Sequence, residues 1–202
     1  MNKQVLNFDQ LQLVPLLKSF SQSYYLAGGT AIALHLGHRR SLDFDLFTDK
    51  SFDPMQLRAK ILHGHKIDQT FSQGEGELTV LINKVKITFF HYPFLVERSD
   101  LFADIIRLPD LLILGAMKAF ALGRRAKWKD YVDLYFIFQK HSLQELMDKT
   151  NSIFKSEFNE KLFRTQLSYF EDIDYSEEIE YMTGFEKKDD EIKRFLEKIS
   201  LS

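Results

Sequence analysis

Apolar positions recur with helical spacing over residues 9–20, interrupted at Pro15, and a shorter apolar run over 24–27 ends at Gly28-Gly29. The first pattern predicts a helix and the second a strand closed by a glycine turn. Residues 30–36 predict a short helix with Thr30 near its start and Gly37 as its stop. Residues 42–47 then alternate strictly: Leu42, Phe44 and Leu46 share one face, and Asp43, Asp45 and Phe47 share the other. This is a strand pattern, unusual in placing two carboxylates inside an apolar run. A helix is expected over 54–62, and strands over 65–72, 77–83 and 85–91, with turns at 74–76 and 83–84. A further short strand is expected near Ile105-Ile106. Residues 110–122 predict a strong helix, with Pro109 ahead of it and Gly123 as its stop, and 128–139 predict another. The rest of the chain reads as helical pieces, with an acidic stretch over 171–180 that reads as solvated surface.

The pattern shifts near residue 109 from mixed strands and helices to helices. No Pro/Gly-rich linker marks the shift. The expected architecture is therefore α/β (α+β), with a small mixed sheet and its helices over residues 1–108 and a helical region over 109–202 packed on it. At 202 residues with 45% hydrophobic content, the chain can build a substantial core. A net charge of -2 means that any nucleic-acid partner would need a local basic patch. The absence of cysteine excludes disulfides, thiol catalysis and a cysteine-based zinc site. The longest apolar run, 111–117, is far short of the ~20 residues of a membrane helix. The first ten residues lack the apolar core of a signal peptide. The expectation is a soluble, cytoplasmic protein without a membrane partner.

Side chains two apart on a strand point the same way, so Asp43 and Asp45 project together. Such a pair needs a cation or open solvent, because each charge raises the other's pKa. One or two magnesium (or manganese) ions bridging a triphosphate would meet that need. Gly28 and Gly29 let backbone approach a ligand, and the helix beginning near Thr30 offers free N–H groups and a positive dipole end. Arg39, Arg40 and Ser41 add donors just before the carboxylate strand. A D-x-D pair, a Gly-Gly turn or an arginine pair is each ordinary alone. Their ordered combination within 18 residues, Gly28 to Asp45, points to a nucleoside-triphosphate site.

Gly28-Gly29-Thr30 followed by His38-Arg39, Ser41, Asp43 and Asp45 resembles the G-G-[ST] … R-x-S-x-D-x-D signature of the DNA-polymerase-β-like nucleotidyltransferase superfamily. More narrowly, it resembles the nucleotidyltransferase toxins of the abortive-infection AbiE group, in which the toxin is half of a two-gene toxin–antitoxin module. The resemblance implies a nucleotidyltransferase fold and transfer of a nucleoside monophosphate from a nucleoside triphosphate to an acceptor hydroxyl on RNA, tRNA or protein. It also implies a cognate antitoxin as partner, with Asp43 and Asp45 as metal ligands.

A second cluster lies in residues 117–137. Lys118 sits on the first helix of the pair, with Arg125 sharing its face if the helix continues past Gly123. Asp130 and Asp133 share a face of the next helix. Two amphipathic helices with charged edges would give the same pattern. A lysine, an arginine and then K-D-x-x-D resembles the second block of the same toxin group. It implies that Lys118 contacts the triphosphate and that Asp130 orients Lys118 or acts at the attacking hydroxyl. Asp133 is expected to be structural. The implied catalytic set is Asp43, Asp45, Lys118 and Asp130, with Gly28, Gly29, Thr30, Arg39, Ser41 and Arg125 binding nucleotide.

One position departs from the superfamily. Its members commonly carry a third carboxylate on a later strand, whereas residues 85–92 contain no acid and offer Thr88 or Phe90 there. A threonine neither replaces a carboxylate on a metal nor serves as a base at neutral pH. Three explanations are open: Asp130 or another acid of the helical half substitutes, the site uses one metal, or the chain binds nucleotide without transferring it. The rival functions are thus a non-catalytic nucleotide- or partner-binding regulatory module and a small-molecule (antibiotic) nucleotidyltransferase. The latter would favour an acidic groove for a cationic substrate. His35 and His38 lack a third ligand for zinc, and Trp128 reads as a core or interface residue.

Overall fold

Alternation along the strands decides the layout of this molecule, because one face of the central strands is mostly apolar and the other carries the chemistry. The computed structural model describes residues 1–122 and 124–202. Two short helices, α1 (Phe8–Gln12) and α2 (Val14–Phe20), lead into strand β1 (Tyr25–Ala27). Pro15 lies in the first turn of α2, where its missing N–H costs nothing. Helix α3 (Gly28–Leu36) starts directly from β1 and ends at Gly37, whose φ of 73° forms a left-handed cap. Strand β2 (Phe44–Thr48) follows, then helix α4 (Pro54–Leu62), capped by the Asp53 carboxylate. Strands β3 (Gln69–Gly74), β4 (Glu77–Ile82) and β5 (Val85–His91) complete the sheet.

The strand order is β1-β2-β5-β4-β3. Only the β2/β5 pair is parallel. The sheet is therefore mixed, as expected for a nucleotidyltransferase-like fold. Phe44 and Leu46 of β2, Ile87 and Phe89 of β5, and Leu78, Val80 and Ile82 of β4 are fully buried. Phe89 meets Phe20 and Tyr24 edge-on, at 5.0 and 5.2 Å between ring centroids. The opposite face carries Asp45 beside Thr88, and Thr88 beside Thr79.

A two-stranded ribbon, β6 (Asp100–Phe102) and β7 (Ile106–Leu108), leads to the helical half. There α5 (Leu111–Leu122), α6 (Trp128–Phe138), α7 (Leu143–Phe154), α8 (Glu160–Leu167) and α9 (Asp189–Ser200) pack on one another and on α3. Gly115 permits the close approach within this bundle: a Cβ there would lie 2.9 Å from Leu146 and 3.1 Å from Ile137. The helix stop expected at Gly123 lies outside the described residues.

Several boundaries differ from the sequence expectation. The Gly-Gly pair is the first turn of α3 rather than a turn ahead of it. The first strand of the 65–91 region begins at Gln69, because β4 supplies partners only from Leu81 outward to Glu77. The acidic stretch is more than solvated surface. Its backbone pairs with residues 126–128 through Asp174 and with Arg40 through Glu180, and Met182 just beyond it pairs with His38. Backbone pairing of this kind leaves no trace in side-chain periodicity. Among the described residues, no helix is long and apolar enough to cross a membrane.

Candidate active site

Asp45 enters the site as the second residue of β2, and Asp43 stands one residue before that strand. Both line a cavity of about 740 Å³ between the polar sheet face and the helical half. The start of α3 abuts them. A Cβ on Gly28 would lie 1.9 Å from Asp45 Oδ2, and Gly28 has a φ of +67°. Glycine at this position is thus required twice, by backbone conformation and by the carboxylate pressed against it. Gly29 faces Arg39 and Ser41, whose Nη2 and Oγ would lie 2.7 and 3.2 Å from an added Cβ. The N-cap residue, Ala27, has no side chain able to cap the helix. Thr30 is buried, and its hydroxyl donates to the Asp43 carbonyl, fixing the chain as it enters β2. The buried Gln10 side chain donates to the Ser41 carbonyl at 2.8 Å and holds the same loop from the other side.

Gly28→Ala tests this packing. A non-glycine residue in the left-handed region costs about 1–2 kcal/mol before any clash. The variant is expected to lower the melting temperature by several degrees. Gly64→Ala, at a position with open space around it, serves as the control.

The second cluster is a buried ion network. Arg39 donates from Nε and Nη2 to the two oxygens of Asp133, both at 2.8 Å. Lys118 Nζ lies 2.7 Å from Asp130 and 3.0 Å from Asp133. His38 Nε2 is 2.9 Å from Asp133, and Arg125 Nε donates to Asp130 at 3.2 Å. Asp130, Asp133 and His38 are completely buried. Burial works against the Asp133 charge, but Arg39 and Lys118 overcome it and hold its pKa well below the ordinary carboxylate value. Burial also opposes the Lys118 charge, and Asp130 and Asp133 outweigh it, so its pKa is raised. Burial lowers the His38 pKa despite its aspartate neighbour, which keeps the ring neutral with Nε2–H as donor. Lys118 lines the cavity and keeps one of its three donors unassigned.

The sequence-derived candidates therefore fall into two groups. Gly28, Gly29, Ser41, Asp43, Asp45, Lys118, Arg125 and Arg39 line one cavity. Asp130 and Thr30 stand behind it, Asp130 holding Lys118 and Arg125, and Thr30 holding the loop before β2. Arg39 spends two donor groups on Asp133 and a third on the Arg40 carbonyl. Trp128 is buried and donates to Asp189 at 3.2 Å.

Asp45 has its pKa raised, first by burial and then by Asp43, while Lys129, Lys118 and Arg125 pull it down. A cation bound between the two carboxylates would offset both effects. Among the described residues, no three or more His, Asp or Glu side chains converge on a metal position. Asp43 and Asp45 are the carboxylates that could hold one, with water or ligand oxygens completing its shell.

Several cavity residues escaped the sequence reading. Lys86 Nζ lies 2.9 Å from Asp43 Oδ2. Lys127 and Lys129 line the rim and share Glu177 of the acidic stretch, whose carboxyl is held down at about 2 by the two lysines against the effect of burial. Glu77 of β4 lines the cavity and accepts from Thr79 Oγ1 at 3.2 Å. Period-2 alternation could have placed Lys86 with Thr88 and Phe90 on one face. Nothing local to Glu177 signals its partners. In all, seven lysine or arginine side chains and four carboxylates line the cavity, so its balance favours an anionic ligand.

No family model matches the chain. Among solved structures, it is similar to a Helicobacter pylori protein provisionally described as a nucleotidyltransferase. The TM-score is 0.52 at 17% identity, covering 79% of this chain and 73% of the other. It is similar to JHP933 from Helicobacter pylori at a TM-score of 0.52 and 18% identity, covering 83% and 74%. At these identities the likeness is one of fold: a five-stranded mixed sheet flanked by helices, with a helical C-terminal half. At 33% identity over 155 residues, 74% of each chain, this protein belongs to the same family as the uncharacterized protein aq_aa25 of Aquifex aeolicus (strain VF5).

Proposed function

We propose that the chain is a metal-dependent nucleotidyltransferase that moves a nucleoside monophosphate from a nucleoside triphosphate to an acceptor hydroxyl. The carrying observation is the placement of Asp43 and Asp45 against the start of α3 in a cavity whose far wall presents Lys118. The nucleotidyltransferase-like fold supports the same reading. In this mechanism the acceptor hydroxyl attacks the α-phosphorus and releases its proton to solvent, the bond to the oxygen that bridges to the β-phosphorus breaks, and pyrophosphate leaves. Asp43 and Asp45 would hold a magnesium or manganese ion, which would supply charge neutralisation at the reacting phosphate. The first turn of α3 offers N–H donors to phosphate, with Ser41 beside it. Lys118, locked by Asp130 and Asp133, presents a fixed positive charge toward the triphosphate. Arg125 and the rim lysines supply further positive charge where pyrophosphate departs.

The motif resemblance extends the proposal to an AbiE-like toxin with an RNA, tRNA or protein acceptor and a cognate antitoxin. The cation-rich lining disfavours the antibiotic-modifying alternative, whose substrates are cationic. The non-catalytic alternative draws on one observation: Thr88 lies in register beside Asp45, on the strand where the superfamily's third acid is expected.

Pyrophosphate release separates these readings. The protein, incubated with each nucleoside triphosphate, magnesium and fractions of cellular RNA or protein, is expected to release pyrophosphate with at least one combination. A chelator is expected to stop it. Nucleotide binding without release under every combination would favour the regulatory module.

A further inference from the structure

Strand β5 does not merely lack an acid beside the carboxylate pair; it brings a cation. Phe44 is in register with Ile87 and Asp45 with Thr88. Carried back one residue, beyond the start of β2, that register sets Asp43 against Lys86. The Lys86 ammonium lies 2.9 Å from Asp43 Oδ2, and the two side chains are 41% and 28% exposed. Lys86 shares the cavity face with Thr88 and Phe90 by the period of the strand.

We infer that the Lys86 ammonium serves as the second cation of this site, so that Asp43 and Asp45 take up one divalent metal ion rather than two. The inference rests on the nucleotidyltransferase reading and names how that site is neutralised. Three carboxylates carry a charge of about -3 and suit two divalent ions. Here two carboxylates and one ammonium leave about -1, which a single divalent ion already reverses. A second divalent ion would meet an ammonium already paired with its ligand, no third carboxylate on β5, and the first ion's repulsion. Lys86 is a positioning residue in this scheme: it fixes Asp43 and sets the number of ions, and Asp45 is left as the less encumbered ligand. Fixed positive charge from the protein needs no recruitment of a second ion from solution.

The test counts ions rather than turnover. Manganese binding is measured by electron paramagnetic resonance of the free ion, with a non-hydrolysable triphosphate analogue bound to the protein. The analogue is held equimolar with the protein and fully bound, so that every bound ion is counted on the complex. The wild type is expected to bind one equivalent. Lys86→Met, whose fold is checked by circular dichroism and thermal melting, is expected to take up a second equivalent or bind the first at least tenfold more tightly. Two equivalents on the wild type would overturn the inference and leave the nucleotidyltransferase reading standing. So would a Lys86→Met variant with unchanged stoichiometry and affinity. No manganese on the wild type would overturn both.

Discussion

Asp43→Asn is expected to reduce nucleotidyl transfer by about three orders of magnitude with little loss of stability. The substitution keeps the side chain's size and removes the charge that would hold the metal. Loss of a metal's charge stabilisation in the transition state amounts to several kcal/mol, and each ~1.4 kcal/mol is a factor of ten in rate. Asp43 is partly exposed and precedes β2, so the fold does not depend on it. Its partner Lys86 is 41% exposed and can be solvated when the pair is broken. Steady-state kinetics beside a thermal melt would check both halves of this expectation. Wild-type activity in Asp43→Asn would remove the carboxylate pair from the mechanism.

Asp133→Asn is expected to do the reverse, striking stability first. Asp133 is completely buried and accepts from Arg39, Lys118 and His38. Without its charge, buried Arg39 loses the carboxylate it is paired with, Lys118 keeps Asp130 alone, and Asn turns an N–H toward donors it cannot satisfy. Breaking a buried pair by removing one partner costs about 3–5 kcal/mol. For a chain of this size that corresponds to a fall in melting temperature on the order of 10 °C. Any loss of activity is expected to be recovered in part at lower temperature, where the variant is folded, which distinguishes it from Asp43→Asn. A melting temperature unchanged from wild type would mean that the ion network adds no net stability.

The network also explains what the sequence could and could not reveal. Alternation over residues 42–47 was enough to place Asp43 and Asp45 on one face, because strand period is a local property. The helix at 54–62 was equally legible, since Asp53 and Pro54 mark its start and both act within one turn. Lys118, Asp130 and Asp133 could be marked individually, and the resemblance joined them. Their meeting with Arg39 and His38 spans more than 90 residues of chain and depends on α3 packing against α5 and α6. The roles of Glu177 and Lys86 were hidden for the same reason. Glu177 reaches Lys127 and Lys129 because the backbone around Asp174 pairs with residues 126–128. Lys86 reaches Asp43 because β2 and β5 run parallel, and strand order cannot be read from alternation. The helix expected from Thr30 starts two residues earlier, at Gly28, because glycine suits both a turn and the left-handed first residue of α3.

The most direct test of the account is the fate of the α-phosphate. Wild type and Asp43→Asn are incubated with magnesium and each nucleoside triphosphate, labelled at either the α- or the γ-phosphate. Cellular RNA, cellular protein or the enzyme alone serves as acceptor. The wild type is expected to transfer the α-label and none of the γ-label, and the variant is expected to lose the transfer. Transfer of the γ-label, or α-label transfer that persists undiminished in Asp43→Asn, would contradict the nucleotidyltransferase reading.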